Sequence, residues 1–219
     1  WRYVDMSFEK KPLRPVIDGE PSYEDIPQGL HDVNDPRWQD YDVRRYAYWA
    51  VFGGAFGHTY GHNSVMQFIR PGLQASFGAE KPWWDAMKDP GYNQMKYLKW
   101  LMLSFPFTER IADQSIIAGQ NGERYDRVIA TRGNDYLLVY NYSGKPMSID
   151  LAKISGAKKN VWWMNPADGK LTYLGEYDSK VTEFTYDAAY LRGSDRVLIA
   201  VDSSKNYISK TDTQITEKQ

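Results

Sequence analysis

The spacing of apolar residues changes character about halfway along the chain. In the first half, short apolar runs that end in glycine or charged residues alternate with longer amphipathic segments. This spacing predicts strands over 14–21 and 55–62, and helices over 42–52, 82–87 and 92–103. A strand, a helix and a second strand in this order predict one parallel β-α-β unit.

In the second half, short apolar runs alternate with turn residues and lose the spacing of helices. This pattern is typical of antiparallel sheets, and turn residues at 165–169 predict a hairpin. The sequence therefore predicts eight strands, over 115–118, 127–131, 136–142, 147–151, 160–164, 171–177, 181–185 and 197–201.

Together the two patterns predict an α/β region over 1–106, an antiparallel β-sandwich over 107–205 and a polar, frayed tail over 206–219. Two parallel strands and a few helices do not cover both faces of a parallel sheet, and a complete eight-stranded barrel usually needs about 250 residues. We therefore expect the first region to be part of a larger barrel. The start of the chain, without an initiator Met or a signal peptide, fits a fragment.

Composition narrows the possible partners. The 17 Tyr, 8 Trp and 8 Phe either fill cores or stack on sugar rings. The net charge of −1 and the absence of a basic stripe disfavour nucleic acid. The absence of cysteine excludes disulfides, thiolate catalysis and Cys-zinc sites. No apolar run approaches the roughly 20 residues that span a bilayer.

The first candidate for chemistry is the segment Asp18-Gly19-Glu20-Pro21-Ser22-Tyr23-Glu24, which closes the first predicted strand. An acid at the carboxyl end of a barrel strand points into the catalytic mouth, and glycoside cleavage uses two carboxylates. Glu20 is accordingly the first catalytic candidate and Glu24 the second. The alternatives are that Glu20 is an ordinary loop acid, and that Glu24 caps a helix or pairs with Arg44 or Arg45.

The second candidate is the glycine-flanked segment 57–63, which contains His58, Tyr60 and His62. The glycines argue against a helix and a third ligand is missing, so we predict no metal site. In an extended segment these three residues share one face. His58 and Tyr60 then either bond sugar hydroxyls or orient a nucleophile, unless His58 is a structural residue beside a bend.

Two tryptophan pairs complete the candidates. Trp162 and Trp163 are adjacent in a predicted strand, so they face opposite ways, one into a core and one outward or toward the other domain. Trp83 and Trp84 lie over a rim or behind a helix. Each pair either forms a surface on which a sugar ring stacks or packs in a hydrophobic core.

Together these segments resemble the apiosidase-like glycoside hydrolases. The resemblance rests on VIDGEPSYE at 16–24, RRYAYW at 44–49 and GHTYG at 57–61, and the order of segments agrees along essentially the whole chain. Enzymes of this family, common in gut Bacteroidetes, have a (β/α)8 TIM barrel that is often joined to a C-terminal β-sandwich named a collagen-binding domain. The resemblance implies the last strands and helices of the barrel, followed by an antiparallel β-sandwich.

The resemblance also implies residue roles. Strand 7 would end at the first motif and strand 8 at the second, with Glu20 as the nucleophile of a retaining mechanism. The acid/base would follow strand 4, which this sequence does not contain, so the chain alone would lack it. Arg45 would hold a carboxylate in place. The residues implied for substrate binding are Tyr23, Glu24, His58 and Tyr60.

The function implied is a retaining glycosidase that cleaves polysaccharide side chains or oligosaccharides, without cofactor or metal. Its partners would be a carbohydrate substrate and the missing N-terminal half of the barrel, and its location exported, periplasmic or at the cell surface. One alternative is a non-catalytic module that binds glycans or a protein such as collagen. Another is a purely structural sandwich, which predicts a buried interface with the helix at 92–104.

Overall fold

The computed structural model describes residues 2–186 and 192–217. The helices are α1 (Arg2–Phe8), α2 (Asp40–Phe52), α3 (Asn63–Met66), α4 (Trp83–Ala86) and α5 (Pro90–Leu103). The strands are β1 (Ile17–Asp18), β2 (Gly57–His58), β3 (Ile111–Ala112), β4 (Ile129–Arg132), β5 (Tyr136–Asn141), β6 (Met147–Asp150), β7 (Lys158–Met164), β8 (Leu171–Asp178), β9 (Val181–Phe184) and β10 (Arg196–Asp202).

The predicted parallel β-α-β unit is present in the first half. β1 pairs with β2 in parallel, with Ile17 opposite Gly57 and Asp18 opposite His58. α2 connects the two strands and packs on them, because Val16 contacts a small core of Val4, Ala50 and Ala55. The parallel strands are shorter than predicted, at two residues each.

Local signals set the ends of α2. Gln39 is the N-cap of α2, and its backbone N–H donates to the Asp42 carboxylate at 3.2 Å, as in a capping box. Gly53 ends the helix. Gly54 follows with a φ of +114°, which favours glycine, and a side chain there would meet the Phe8 ring.

A six-stranded antiparallel sheet, in the order β3-β4-β5-β10-β7-β8, makes up most of the second half. One face packs on β6 and β9, which pair only with each other among the described strands. The other face packs on α2 and α5. Trp162 lies in the helix-side core and Trp163 in the other, so they face opposite ways as predicted. Both are buried because both faces of the sheet are covered.

The sandwich expectation therefore needs correction in detail. A sandwich has two large sheets, but here the six-stranded sheet is covered by the two strands β6 and β9 on one face and by helices on the other. The strand predicted over 115–118 is instead a turn of 3-10 helix at Gln114–Ile116. Asp113 accepts a hydrogen bond from the backbone N–H of Ser115 at 3.0 Å, and such a local bond competes with strand pairing.

The expectation of a frayed tail is wrong for residues 206–217. Ile208 and Ile215 are buried in the helix-side core. The backbone N–H of Ile215 donates to the Gly169 carbonyl at 2.8 Å, and the N–H of Leu171 donates to the Thr213 carbonyl at 2.8 Å. Two isolated isoleucines in a polar stretch show no periodicity, so the sequence does not predict their burial. The structure shows that they pack against the sheet.

A buried ion pair joins α2 to the sheet. The Arg44 guanidinium donates to both carboxylate oxygens of Asp195, at 2.8 and 2.6 Å, and both side chains are at most 1% exposed. The Tyr140 hydroxyl donates to Asp195 at 2.8 Å. Burial acts to lower the pKa of Arg44, but the neighbouring Asp195 carboxylate raises it overall. The charges are therefore kept, and the helix is fixed on the sheet.

We expect Asp195→Asn to lower the free energy of unfolding by about 3–5 kcal/mol, because it removes the bidentate carboxylate from the buried Arg44 charge and leaves only Asp40, at 3.2 Å, as a counter-ion. Urea unfolding followed by tryptophan fluorescence measures the loss. Asp178→Asn is the matched control, since Asp178 pairs with Lys158 at an exposed position, and its midpoint should not move. Equal midpoints for both variants would contradict the account of Arg44.

Candidate functional site

Glu20 lies two residues past the end of β1, with its side chain exposed. Within the described chain, its carboxylate makes no hydrogen bond or ion pair with another side chain. The chain after Glu20 then runs parallel to the segment that follows β2. The N–H of Glu24 donates to the Gly61 carbonyl at 2.9 Å, and the N–H of Asn63 donates to the Glu24 carbonyl at 2.9 Å. The two predicted motifs therefore lie next to each other.

Glu24 occupies a different environment from Glu20. Its side chain is buried, with one carboxylate oxygen 2.5 Å from the donating Tyr60 hydroxyl. The other oxygen accepts from the backbone N–H of Gly91 at 3.3 Å, in the first turn of α5. The positive end of the helix dipole favours a carboxylate there. Its partners are thus Tyr60 and α5, and not Arg44 or Arg45.

Burial raises the pKa of Glu24 above its ordinary value, although the bonds from Tyr60 and Gly91 act in the opposite direction. Burial, with the neighbouring Glu24 carboxylate, also raises the pKa of Tyr60. The phenol therefore stays protonated and donates to Glu24. This pair joins the segment after β1, the segment after β2 and the start of α5.

A second polar cluster lies beside it. The Asp89 carboxylate is 2.8 Å from His62 Nε2 and 2.5 Å from Lys81 Nζ. His62 Nδ1 accepts from the backbone N–H of Ser64, so the ring proton lies on Nε2 and points to Asp89. Burial acts to raise the pKa of Asp89, but hydrogen bonds from Lys81 and His62 lower it overall. The sequence alone does not indicate this cluster, because Asp89, His62 and Lys81 lie far apart along the chain.

Phe56, His58 and Tyr60 alternate along the chain and share one face. They line a cleft of about 410 Å³ against α5, which contributes Met95 and Met102. The face they share is therefore the one that α5 covers. Ile17 lies opposite Gly57 at the pairing position before His58, and Ile17 is 52% exposed.

His58 is buried without a hydrogen-bond partner. Its side chain is 4% exposed, and neither ring nitrogen makes a hydrogen bond within residues 2–186 and 192–217. Asp18 Oδ2 lies 3.5 Å from His58 Nδ1, too far for a good hydrogen bond. The structure thus places the ring under α5, beside Asp18.

A second cleft, of about 340 Å³, lies on the other side of Tyr60. Tyr23, Tyr60, Met66, Met87 and Tyr92 contribute to its walls. The Tyr23 ring lies so close to Gly61 that a Cβ there would be 2.4 Å from it. Gly61 is therefore needed for this ring to lie flat against the second motif.

Arg45 lies away from both clefts. Its guanidinium is 3.0 Å from Asp42, three residues earlier on the same helix. It also lies within 4.7 Å of the centres of the Tyr125 and Tyr142 rings. The carboxylate that the structure gives Arg45 is accordingly Asp42, and not Glu20 or Glu24. The tryptophan pair Trp83 and Trp84 packs edge to face, with Trp84 42% exposed.

The structure thus brings Tyr23, Glu24 and Tyr60 into one cluster, with His58 on its α5 side. Glu20 stands apart as an exposed carboxylate at the end of β1. The contribution of Gly91, which bonds Glu24, was missed from the sequence. A glycine directly after a helix-initiating proline is the signal that was available.

Comparisons with known proteins agree with the motifs. Residues 1–109 match the model of the "Apiosidase-like, catalytic domain" family, and residues 111–201 match the "Putative collagen-binding domain of a collagenase". A crystal structure of a glycoside hydrolase family 5 protein from Bacteroides vulgatus ATCC 8482 is 69% identical with a TM-score of 0.98, over 99% of this chain and 48% of that chain. A second structure, of a glycoside hydrolase, is 68% identical with a TM-score of 0.94, over 95% and 47%. No curated protein matches.

The chain spans about half the length of both solved structures. It combines a segment of a glycoside hydrolase-like catalytic domain with a collagen-binding-like domain. The match of residues 1–109 to the apiosidase-like model confirms the resemblance predicted from the motifs. Among the described helices, none has the length and hydropathy needed to cross a membrane.

We expect Gly91→Ala to destabilise the chain by about 1–3 kcal/mol through overpacking. The added Cβ would lie 2.3 Å from Glu24 Oε2 and 3.0 Å from Val43. In a helix free of this contact, alanine would instead be the better residue by about 1 kcal/mol. Gly19→Ala is the control, since nothing lies within 4 Å of its Cβ position. Urea unfolding of both variants measures the change in stability. A Gly91→Ala variant that is more stable than wild type would contradict the predicted overpacking.

The raised pKa of Glu24 predicts a pH dependence of stability. The folded state holds the Glu24 proton more tightly than the unfolded state does, so this group's contribution falls as the pH rises above about 4.5. Glu24→Gln removes that titration. The unfolding free energy of wild type minus that of Glu24→Gln should therefore decrease between pH 4 and pH 7. Hydrogen bonds that the substitution changes shift this difference by the same amount at every pH. A difference that does not change with pH would contradict the raised pKa of Glu24.

Proposed function

We propose that this chain supplies the nucleophile-bearing half of a retaining glycosidase, with Glu20 as the nucleophile. The observation that carries the proposal is an exposed, unengaged carboxylate just beyond the carboxyl end of one of two parallel strands, in a family of glycoside hydrolases. Barrel enzymes build their active sites at the carboxyl ends of their strands. β1 and β2 would be strands 7 and 8 of a (β/α)8 barrel, with α2 between them.

The contrast with Glu24 supports the choice of Glu20. Both oxygens of Glu24 are engaged, one by Tyr60 and one by Gly91. A buried carboxylate whose two oxygens both accept fixed hydrogen bonds is not free to attack a sugar. Glu24 instead holds Tyr60 in place.

In the proposed mechanism, a Glu20 oxygen attacks the anomeric carbon as the glycosidic bond breaks. The leaving oxygen takes a proton from the acid/base, and a glycosyl ester remains on Glu20. The same acid/base then takes a proton from water, whose oxygen attacks the anomeric carbon and releases Glu20. Retaining enzymes hold the two carboxyl groups about 5–5.5 Å apart. The resemblance places the acid/base after strand 4, so the reaction is proposed for the complete barrel.

The aromatic cleft beside Tyr60 is the proposed sugar-contacting surface. Tyr23 and Tyr92 offer rings on which the apolar face of a sugar can stack. Tyr60 lies in the wall of this cleft and is proposed to contact the substrate there. His58, on the α5 side, would act by supporting Tyr60, and Arg45 by holding α2 against the rings of Tyr125 and Tyr142.

From the family, the proposed substrates are side chains of plant-type polysaccharides or oligosaccharides, and the proposed location is exported, periplasmic or at the cell surface. Glycoside hydrolysis by two carboxylates needs no metal or cofactor. The alternative of a glycan- or collagen-binding module is less favoured. In the part of the sheet that is described, one face is covered by helices and the other by β6 and β9.

We expect Glu20→Gln, in the complete barrel, to lower kcat on aryl glycosides by on the order of a thousandfold or more, since the covalent step is lost. Initial rates on a panel of aryl glycosides and plant polysaccharides measure it. Glu183→Gln, on β9 of the second half, is the control and should keep wild-type rates. Undiminished turnover by Glu20→Gln would rule out the nucleophile assignment.

A further inference from the structure

The outer edge of β4 is closed by side-chain amides as well as by a strand. β3 pairs with the last two residues of β4, Thr131 and Arg132. Beside Ala130, the Gln114 amide accepts from the backbone N–H at 3.2 Å and donates to the carbonyl at 2.9 Å. An unpaired edge is prone to pair with another chain, and Gln114 here takes the place of a neighbouring strand.

Asn121 closes the same edge at Val128, the buried residue directly before β4. Its Nδ2 donates to the Val128 carbonyl at 2.8 Å, and its Oδ1 accepts from the Val128 N–H at 3.1 Å. We call these two hydrogen bonds the clamp, because they close the loop between the two residues. The clamp needs an amide at position 121, since a carboxylate has no N–H to donate to the carbonyl.

The residue after Asn121 has to be glycine. The backbone approaches itself so closely here that a Cβ added to Gly122 would overlap the Asp126 carbonyl. The loop then passes through Arg124, whose φ of +50° is an unfavourable left-handed conformation that the surrounding contacts must hold. An asparagine required by the clamp and a glycine required by the turn together make the one Asn-Gly dipeptide of the sequence.

This dipeptide can deamidate. The Gly122 nitrogen, after losing its proton, attacks Cγ of Asn121, and the bond from Cγ to Nδ2 breaks with release of ammonia. Water then opens the resulting succinimide at either carbonyl and leaves aspartate or isoaspartate, so one water is added for each ammonia lost. Glycine favours the attack because it has no side chain to hinder the backbone rotation. In the folded chain, the amide is fixed on Val128, so this rotation requires the clamp to open.

We propose that Asn121 is a deamidation site that the fold protects, and that its conversion permanently opens the edge of β4. The side chain is only half-buried, so water reaches it. After conversion, a carboxylate oxygen faces the buried Val128 carbonyl in place of the donating Nδ2, and two acceptors repel each other. The loop is then released from the sheet, together with Tyr125, whose ring centre lies 4.7 Å from the Arg45 guanidinium.

The first test compares the full chain folded in buffer with the same chain unfolded in urea, both kept at pH 8 and 37 °C. Proteolytic digestion followed by peptide mass spectrometry measures the conversion of Asn121, which should be at least tenfold slower in the folded chain. Asn206, which precedes Tyr207, is the internal control and should convert more slowly than Asn121 in urea. No conversion of Asn121 in urea would overturn the site, and equal rates in both states would overturn its protection.

The second test loosens the loop without changing the dipeptide. Tyr125→Ala removes the ring that packs on Arg45 and Tyr142, so conversion in the folded chain should rise at least threefold while the rate in urea stays the same. Tyr3→Ala is the matched control, because Tyr3 is 84% exposed on α1, and its rate should equal that of wild type. A folded-state rate of Tyr125→Ala equal to that of wild type would contradict the protective role of the loop.

The third test uses Asn121→Asp, which is one product of the reaction. Loss of the hydrogen bond to the Val128 carbonyl should lower the urea midpoint of unfolding by about 0.5 M or more. Asn206→Asp makes the same change at an exposed position, and its midpoint should not move. An Asn121→Asp midpoint equal to that of wild type would overturn the proposed opening of the edge.

Discussion

The buried contact between Arg44 and Asp195 is the constraint on which the rest of the structure depends. An arginine charge in the core needs a carboxylate beside it, because an unpaired buried charge is strongly unfavourable. Asp195 lies directly before the central strand β10, and Arg44 lies in the middle of α2. The pair therefore fixes the helix between the two parallel strands on the centre of the antiparallel sheet. The two halves of the chain share one core and act as one unit.

The position of α2 on the sheet determines the different environments of Glu20 and Glu24. With α2 and α5 fixed on the sheet, the first turn of α5 lies next to the segment after β1. Glu24 meets Gly91 and Tyr60 there and becomes part of the framework. Glu20, four residues earlier, lies past the strand end and outside this network. Two glutamates of one short motif thus differ in burial and in hydrogen bonding, which separates a supporting residue from a candidate nucleophile.

The same core explains the character of the antiparallel part. In the described residues, α2 and α5 cover one face of its sheet, and β6 and β9 cover the other. The predicted interface with the helix at 92–104 is present through Leu98 and Leu101. Supporting the helices behind the parallel strands is a structural role that the name of the matching family does not describe.

The sequence by itself determined the class of each half, the parallel β-α-β unit, most of the antiparallel strands and the motifs that carry the family resemblance. These follow from local periodicity, turn residues and short-range capping, which neighbours in sequence decide. Only the tertiary structure showed that Asp195 pairs with Arg44, that Gly91 bonds Glu24, that Arg45 pairs with Asp42 and that Ile208 and Ile215 are buried. The distant contacts depend on which helix faces which sheet, and periodicity carries no information about that choice.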